Sequence, residues 1–138
     1  MAIQWTDENA SQEAINAWTH GLGCLLSIPA GLGLYWLAVE NREQQVYACI
    51  TYSLSLTAMY LFSTLSHAFR DPRLRHRFRA FDQGFIYILI AGTFTPFVSS
   101  YVYGWSRVAL LAGIWVAAAI GFYSKVVARH RIDNMTAV

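Results

Sequence analysis

Charge is what this sequence has least of. Only 13% of its 138 residues are Asp, Glu, Lys or Arg, and four stretches, 14–39, 44–69, 83–106 and 108–124, contain none. About a quarter of a soluble globular chain is charged, so the deficit argues against a water-soluble domain. Cysteine is nearly absent too: Cys24 and Cys49 stand alone, without CxxC spacing, which excludes a disulfide framework and a cysteine metal site. Neither an internal repeat nor a low-complexity tract occurs. The first sixteen residues hold no Lys or Arg but carry Asp7, Glu8 and Glu13, so they lack the basic start of a secretory signal, and the first apolar run is expected to remain in the protein.

What fills the uncharged stretches is apolar: 56% of the chain is hydrophobic and its mean hydropathy is +0.35. A helix needs roughly 17 to 25 apolar residues to cross the hydrocarbon core, and each stretch is of that order. Without water, backbone groups must bond within the segment, so helices are expected rather than the short alternating strands of a barrel. The spans are expected near Ala17 to Val39, Val46 to Phe69, Gln83 to Tyr101 and Ser106 to Ser124. Residues 1–138 thus form one all-α domain, an integral membrane bundle of four transmembrane helices. Short connections make it an up-and-down bundle.

Orientation follows from where the basic residues fall. The segment 70–81 carries Arg70, Arg73, Arg75, Arg77 and Arg79, and the tail 125–138 adds Lys125, Arg129 and Arg131, whereas the other two connections hold Arg42 and Arg107. The basic segment, read as a loop, and the tail are expected in the cytoplasm, together with the N-terminal lead 1–16. Trp5, Trp18 and the aromatic turn Tyr101–Trp105 suit the headgroup region. In a chain this apolar, the arginines point to anionic membrane lipids and not to nucleic acid. Gly21, Gly23, Gly31 and Gly33 of the first helix, with Pro29 among them, read as a close-packing surface.

Polar residues are few enough inside the spans to be informative. In helix 2, Ser53, Thr57, Tyr60, Thr64 and His67 recur at intervals of four and three, with Ser63 beside them, which draws a polar stripe along one face. Its hydroxyls read as bonds between helices. His67 lies at the inner end, where an ionisable group in a membrane is either an interfacial residue or a functional one. Asp82, expected to open helix 3, shares that depth. It can accept from the imidazole, cap its helix or pair with an arginine. Glu13, Asn16 and His20 of helix 1 fall on one helical face at the same level. Glu13 and Asn16 can also serve simply to start the helix. His76 and His130, flanked by arginines, are assigned no role.

These residues resemble a known family. Glu13, Asn16 and the run Trp18-Thr19-His20-Gly21 resemble the first motif of the hemolysin III proteins, which group with the progestin and adipoQ receptors. Ser63, His67, Phe81-Asp82 and the run Ala91-Gly92-Thr93-Phe94-Thr95-Pro96-Phe97 resemble the second. The resemblance implies a seven-helix fold with a zinc site near the cytoplasmic side of the bacterial inner membrane, His67 as a zinc ligand, and Ser63 and Asp82 as residues orienting a zinc-bound water. It also implies two further histidines in an HxxxH motif on the last helix. No such motif occurs in these 138 residues. Three protein ligands are the norm at a catalytic zinc, so this chain by itself is expected to bind zinc weakly or not at all. The expectation is an N-terminal portion of a longer protein, with a shortened homologue or a homo-oligomer as alternatives; the missing last helix would then cover the polar stripe of helix 2. Three functions follow from the resemblance: a role in membrane homeostasis or permeability, a ceramidase-like zinc hydrolase of a lipid amide or ester, and a ligand-sensing receptor.

Overall fold

A computed structural model describes residues 7–41 and 45–128. They form α1 (Asp7–Asn41), α2 (Val46–Ala68), α3 (Pro72–Tyr101) and α4 (Gly104–Tyr123), the last continuing as a π-helical turn, Ser124–Ala128. All four are long and apolar enough to cross a membrane. Packing runs between sequence neighbours, α1 on α2, α2 on α3 and α3 on α4, as short connections require. The chain is an all-α integral membrane bundle.

Burial follows size in a way that water would not tolerate. Among the described residues the buried positions are mostly small, such as Ala38, Ala91, Ala118, Ser27, Ser55, Ser63 and Ser66, while Leu25, Leu54, Phe97, Trp105 and Ile120 lie exposed. Lipid tails are as apolar as leucine, so large side chains gain little by turning inward; small residues let the backbones approach. Gly92 shows how close: a Cβ there would run into the Ser55 side chain of α2. Between α1 and α2, a Cβ on Gly23 would stand 2.7 Å from the Tyr60 ring.

The basic segment 70–81 is not a loop. The turn comprises Phe69, Arg70 and Asp71, after which α3 begins at Pro72 and carries the arginines on its first turns. Asp71 explains the start: its extended backbone caps the helix, and its Oδ1 accepts from the backbone N–H of Arg73 (2.8 Å) and Leu74 (3.0 Å). Pro72 occupies the first turn, where a missing N–H costs nothing. Asp82 therefore lies almost three turns into α3 instead of opening it. Similarly, α1 begins at Asp7, ahead of the expected Ala17, so Glu13 and Asn16 are inside the helix and do not start it. At 35 residues α1 is about 52 Å long, well beyond the roughly 30 Å hydrocarbon core. The expected tail is described only to Ala128; Arg129, His130 and Arg131 lie outside the described residues, as does Trp5.

The polar stripe of α2 meets α1. Ser27 and Thr57 share a hydroxyl–hydroxyl bond of 2.8 Å, Gly31 lies against Ser53, Gly23 against Tyr60 and Gly21 against Thr64. The glycine surface and the polar stripe are the two halves of one seam. The stripe stays half-buried there, with Ser53, Thr57, Tyr60, Thr64 and His67 all partly accessible along the seam. Aromatic stacking holds the opposite side, where Phe62 of α2 packs on Phe81 and Phe85 of α3 with ring centroids 5.1 and 4.6 Å apart, and Phe85 meets Phe122 of α4 edge-on. At the other end α3 and α4 are joined by Val102 and Tyr103, a turn tight enough that Gly104 takes φ +63°, where a side chain would be strained.

Candidate functional site

Glu13 is the hub of the polar end. Its Oε2 lies 2.6 Å from His67 Nδ1 of α2, and its Oε1 pairs with the Arg75 guanidinium and, at 3.3 Å, with Arg79 Nη2 of α3. A carboxylate can only accept, so His67 donates through Nδ1–H. One side chain of α1 thereby fastens two other helices. Three members are mostly shielded, with relative side-chain exposure of 20% for Glu13, 19% for His67 and 9% for Arg75, while Arg79 is 43% exposed. In such surroundings a lone carboxylate or guanidinium is costly, and hydrogen-bonded opposite charges offset that cost.

Local structure aims each group. On α1, Glu13 and His20 are two turns apart on one face, and the His20 ring stacks on that of His67, with centroids 5.7 Å apart and planes 6° from parallel. His20 also lies 6.2 Å from the Tyr60 ring. On α3, Arg75, Arg79 and Asp82 succeed one another at intervals of four and three, hence on one side of the helix. Capping by Asp71 sets the register that turns Arg75 and Arg79 toward Glu13. Reading 70–81 as a loop hid these two arginines. Their helical spacing ahead of Asp82 was the signal that could have found them.

Of the residues expected at the site, the structure brings together Glu13, His67 and His20. Asn16 is exposed, and its backbone carbonyl accepts from the Thr19 hydroxyl at 3.1 Å. Ser63 is buried one turn before His67, with its carbonyl accepting from the Ser66 hydroxyl. Asp82 is part-buried on α3. The carboxylate that accepts from the His67 ring N–H is Glu13, from the first motif, where Asp82 was one expected acceptor.

Residues 8–138 match the model of a family described as haemolysin-III related. The chain belongs to that family. It is 40% identical over 116 residues to Hemolysin-3 of Bacillus cereus, covering 83% of this chain and 53% of that protein. Against the Hemolysin-3 homolog of Bacillus subtilis (strain 168) the identity is 34% over 116 residues, 83% of this chain and 54% of the other. The chain thus spans about half the length of the curated haemolysin-III relatives it matches. No solved structure matches it.

Membership in the haemolysin-III family raises the question of zinc. Among the described residues no group of three or more His, Cys, Asp or Glu side chains could hold a metal ion. His67 commits Nδ1 to Glu13, and the parallel stacking of His20 sets the two rings face to face instead of turning their nitrogens toward one point. These residues do not by themselves fit a zinc ion, which takes three or four convergent ligands.

Proposed function

We propose that this chain belongs to a hemolysin III-like membrane protein that acts on the bilayer itself, in membrane homeostasis or permeability. One observation carries the reading: the ionisable groups of α1, α2 and α3 satisfy one another through Glu13. Groups so engaged hold helices in place more readily than they attack a substrate. One relative is named Hemolysin-3 and the other a Hemolysin-3 homolog, names that point toward cytolysis. The chain covers about half the length of each. The basic residues at the start of α3 favour a cytoplasmic side for the chain's N-terminus and for the end of α4.

Reconstitution tests this reading. Vesicles of bacterial lipid loaded with a self-quenched dye should release it in proportion to protein content, and Glu13→Gln should diminish the release. Vesicles that stay sealed at high protein loading contradict it.

A second reading has one observation in its favour. With Nδ1 donating to Glu13, the Nε2 of His67 is the nitrogen left to act as a ligand, the orientation that a carboxylate partner gives metal-binding histidines. Under it the complete protein is a zinc-dependent hydrolase of a lipid amide or ester. Ser63 and Asp82 would lie near the metal, and the remaining ligands would come from further helices or a second copy. Metal analysis of the longest natural form decides it: stoichiometric zinc that disappears in His67→Ala supports the hydrolase, and protein without zinc after purification in zinc-containing buffer contradicts it.

A further inference from the structure

A cavity of about 590 Å³ opens along the seam of α1 and α2, on the outer side of the Glu13 cluster. Its walls are apolar, formed by Ala14, Leu22, Leu25 and Leu61, with Trp18 at its side; polar groups gather at the end where Glu13, His67 and Arg70 lie. From Glu13 to Leu25 the helix rises about 18 Å. One leaflet contributes about 15 Å of a bilayer's hydrocarbon thickness. The cavity therefore has the depth of a single acyl chain, with all its charge at the level of the headgroups.

The lining itself carries one carboxylate, Glu13, and one guanidinium, Arg70. Glu13 is already matched by Arg75 and Arg79, and among the described residues no carboxylate pairs with Arg70, which is exposed at the mouth. Two guanidiniums on one carboxylate, with a third cation beside them, favour an anion. Trp18, 81% exposed, is of the kind that lies at the headgroup boundary. We propose that the α1–α2 seam is a binding slot for one anionic phospholipid of the leaflet nearest the arginines, its acyl chain along Leu22, Leu25 and Leu61 and its phosphate at Arg70. The slot requires only that the helices span a bilayer, and so stands or falls apart from the permeability and hydrolase readings.

The test is native mass spectrometry of the detergent-solubilised chain, equilibrated with phosphatidylglycerol and phosphatidylcholine of the same acyl composition. The wild type should retain phosphatidylglycerol in preference to phosphatidylcholine. Arg70→Gln should reduce that preference about fivefold, the factor expected of one cation at an anionic lipid surface. Arg77→Gln removes the same charge away from the slot and should leave the preference unchanged. Ala14 is exposed on the wall, so Ala14→Phe fills the slot without disturbing a packed contact and should abolish retention of both lipids. Equal retention of the two lipids by the wild type overturns the proposal, as does an equal loss in Arg70→Gln and Arg77→Gln, which would mean diffuse charge. Displacement of the lipid by millimolar inorganic phosphate would make this a simple anion site and also overturns it. So does an Ala14→Phe protein that keeps its lipid but changes from dimer to monomer, since the seam would then join two copies.

Discussion

Glu13 accepts from His67, Arg75 and Arg79, so removing its charge leaves the buried Arg75 guanidinium without its carboxylate, beside the more exposed Arg79. Breaking a buried pair by deleting one partner costs about 3 to 5 kcal/mol, and Glu13→Gln should destabilise the detergent-solubilised protein by about that much in thermal or denaturant unfolding. Asn16→Ala, one turn away and exposed, should remain within about 0.5 kcal/mol of wild type. Equal stability of the two variants would mean that the ion cluster does not hold the helices. The sequence made Glu13, His20 and His67 legible as members of a polar cluster because helical spacing and depth are properties of a linear pattern. It did not reveal which carboxylate pairs with His67. Asp82 and Glu13 are both plausible by depth, and the choice depends on the rotation of α3 about its axis, which follows from where that helix begins. Arg75 and Arg79 were missed for the same reason.

At the scale of elements, α3 owes its register to Asp71 and its contact with α2 to Gly92. Asp71→Ala removes the acceptor for two backbone N–H groups and should cost about 1 kcal/mol, measured as lower unfolding stability with little loss of total helix signal. Gly92→Val forces side-chain atoms into Ser55 and should cost about 1 to 3 kcal/mol, part of which Ser55→Gly restores. Failure of that rescue would place the clash elsewhere. Four spans were legible from charge-free runs, because the bilayer sets their length directly. The start of α3 was not, since a run of arginines looks like a loop when hydropathy alone is weighed, although Asp71 followed by Pro72 is a helix-start signal. Nor did the stripe on α2 disclose its partner; it needed the glycines of α1 to be recognised as the complementary surface.

For the whole molecule, one end is polar and cross-linked by charge while the remainder is a row of helices that bury small residues and expose large ones to lipid. This arrangement predicts opposite exposure of the two ends across a membrane. In inside-out and right-side-out vesicles, Arg77→Cys and Trp105→Cys should react with an impermeant maleimide from opposite sides, with Arg77→Cys reached from the cytoplasmic one; labelling of both from one side would contradict the four-span topology. The central claim is that Glu13 of α1 and Arg75 of α3 are directly coupled, and a double-mutant cycle tests it most directly. Unfolding of wild type, Glu13→Gln, Arg75→Gln and the double variant in one detergent should give a coupling energy of about 1 to 3 kcal/mol, the range for contacting charged partners. Additive effects, within about 0.5 kcal/mol, would mean that the two residues act independently and that α1 and α3 are not joined at this end.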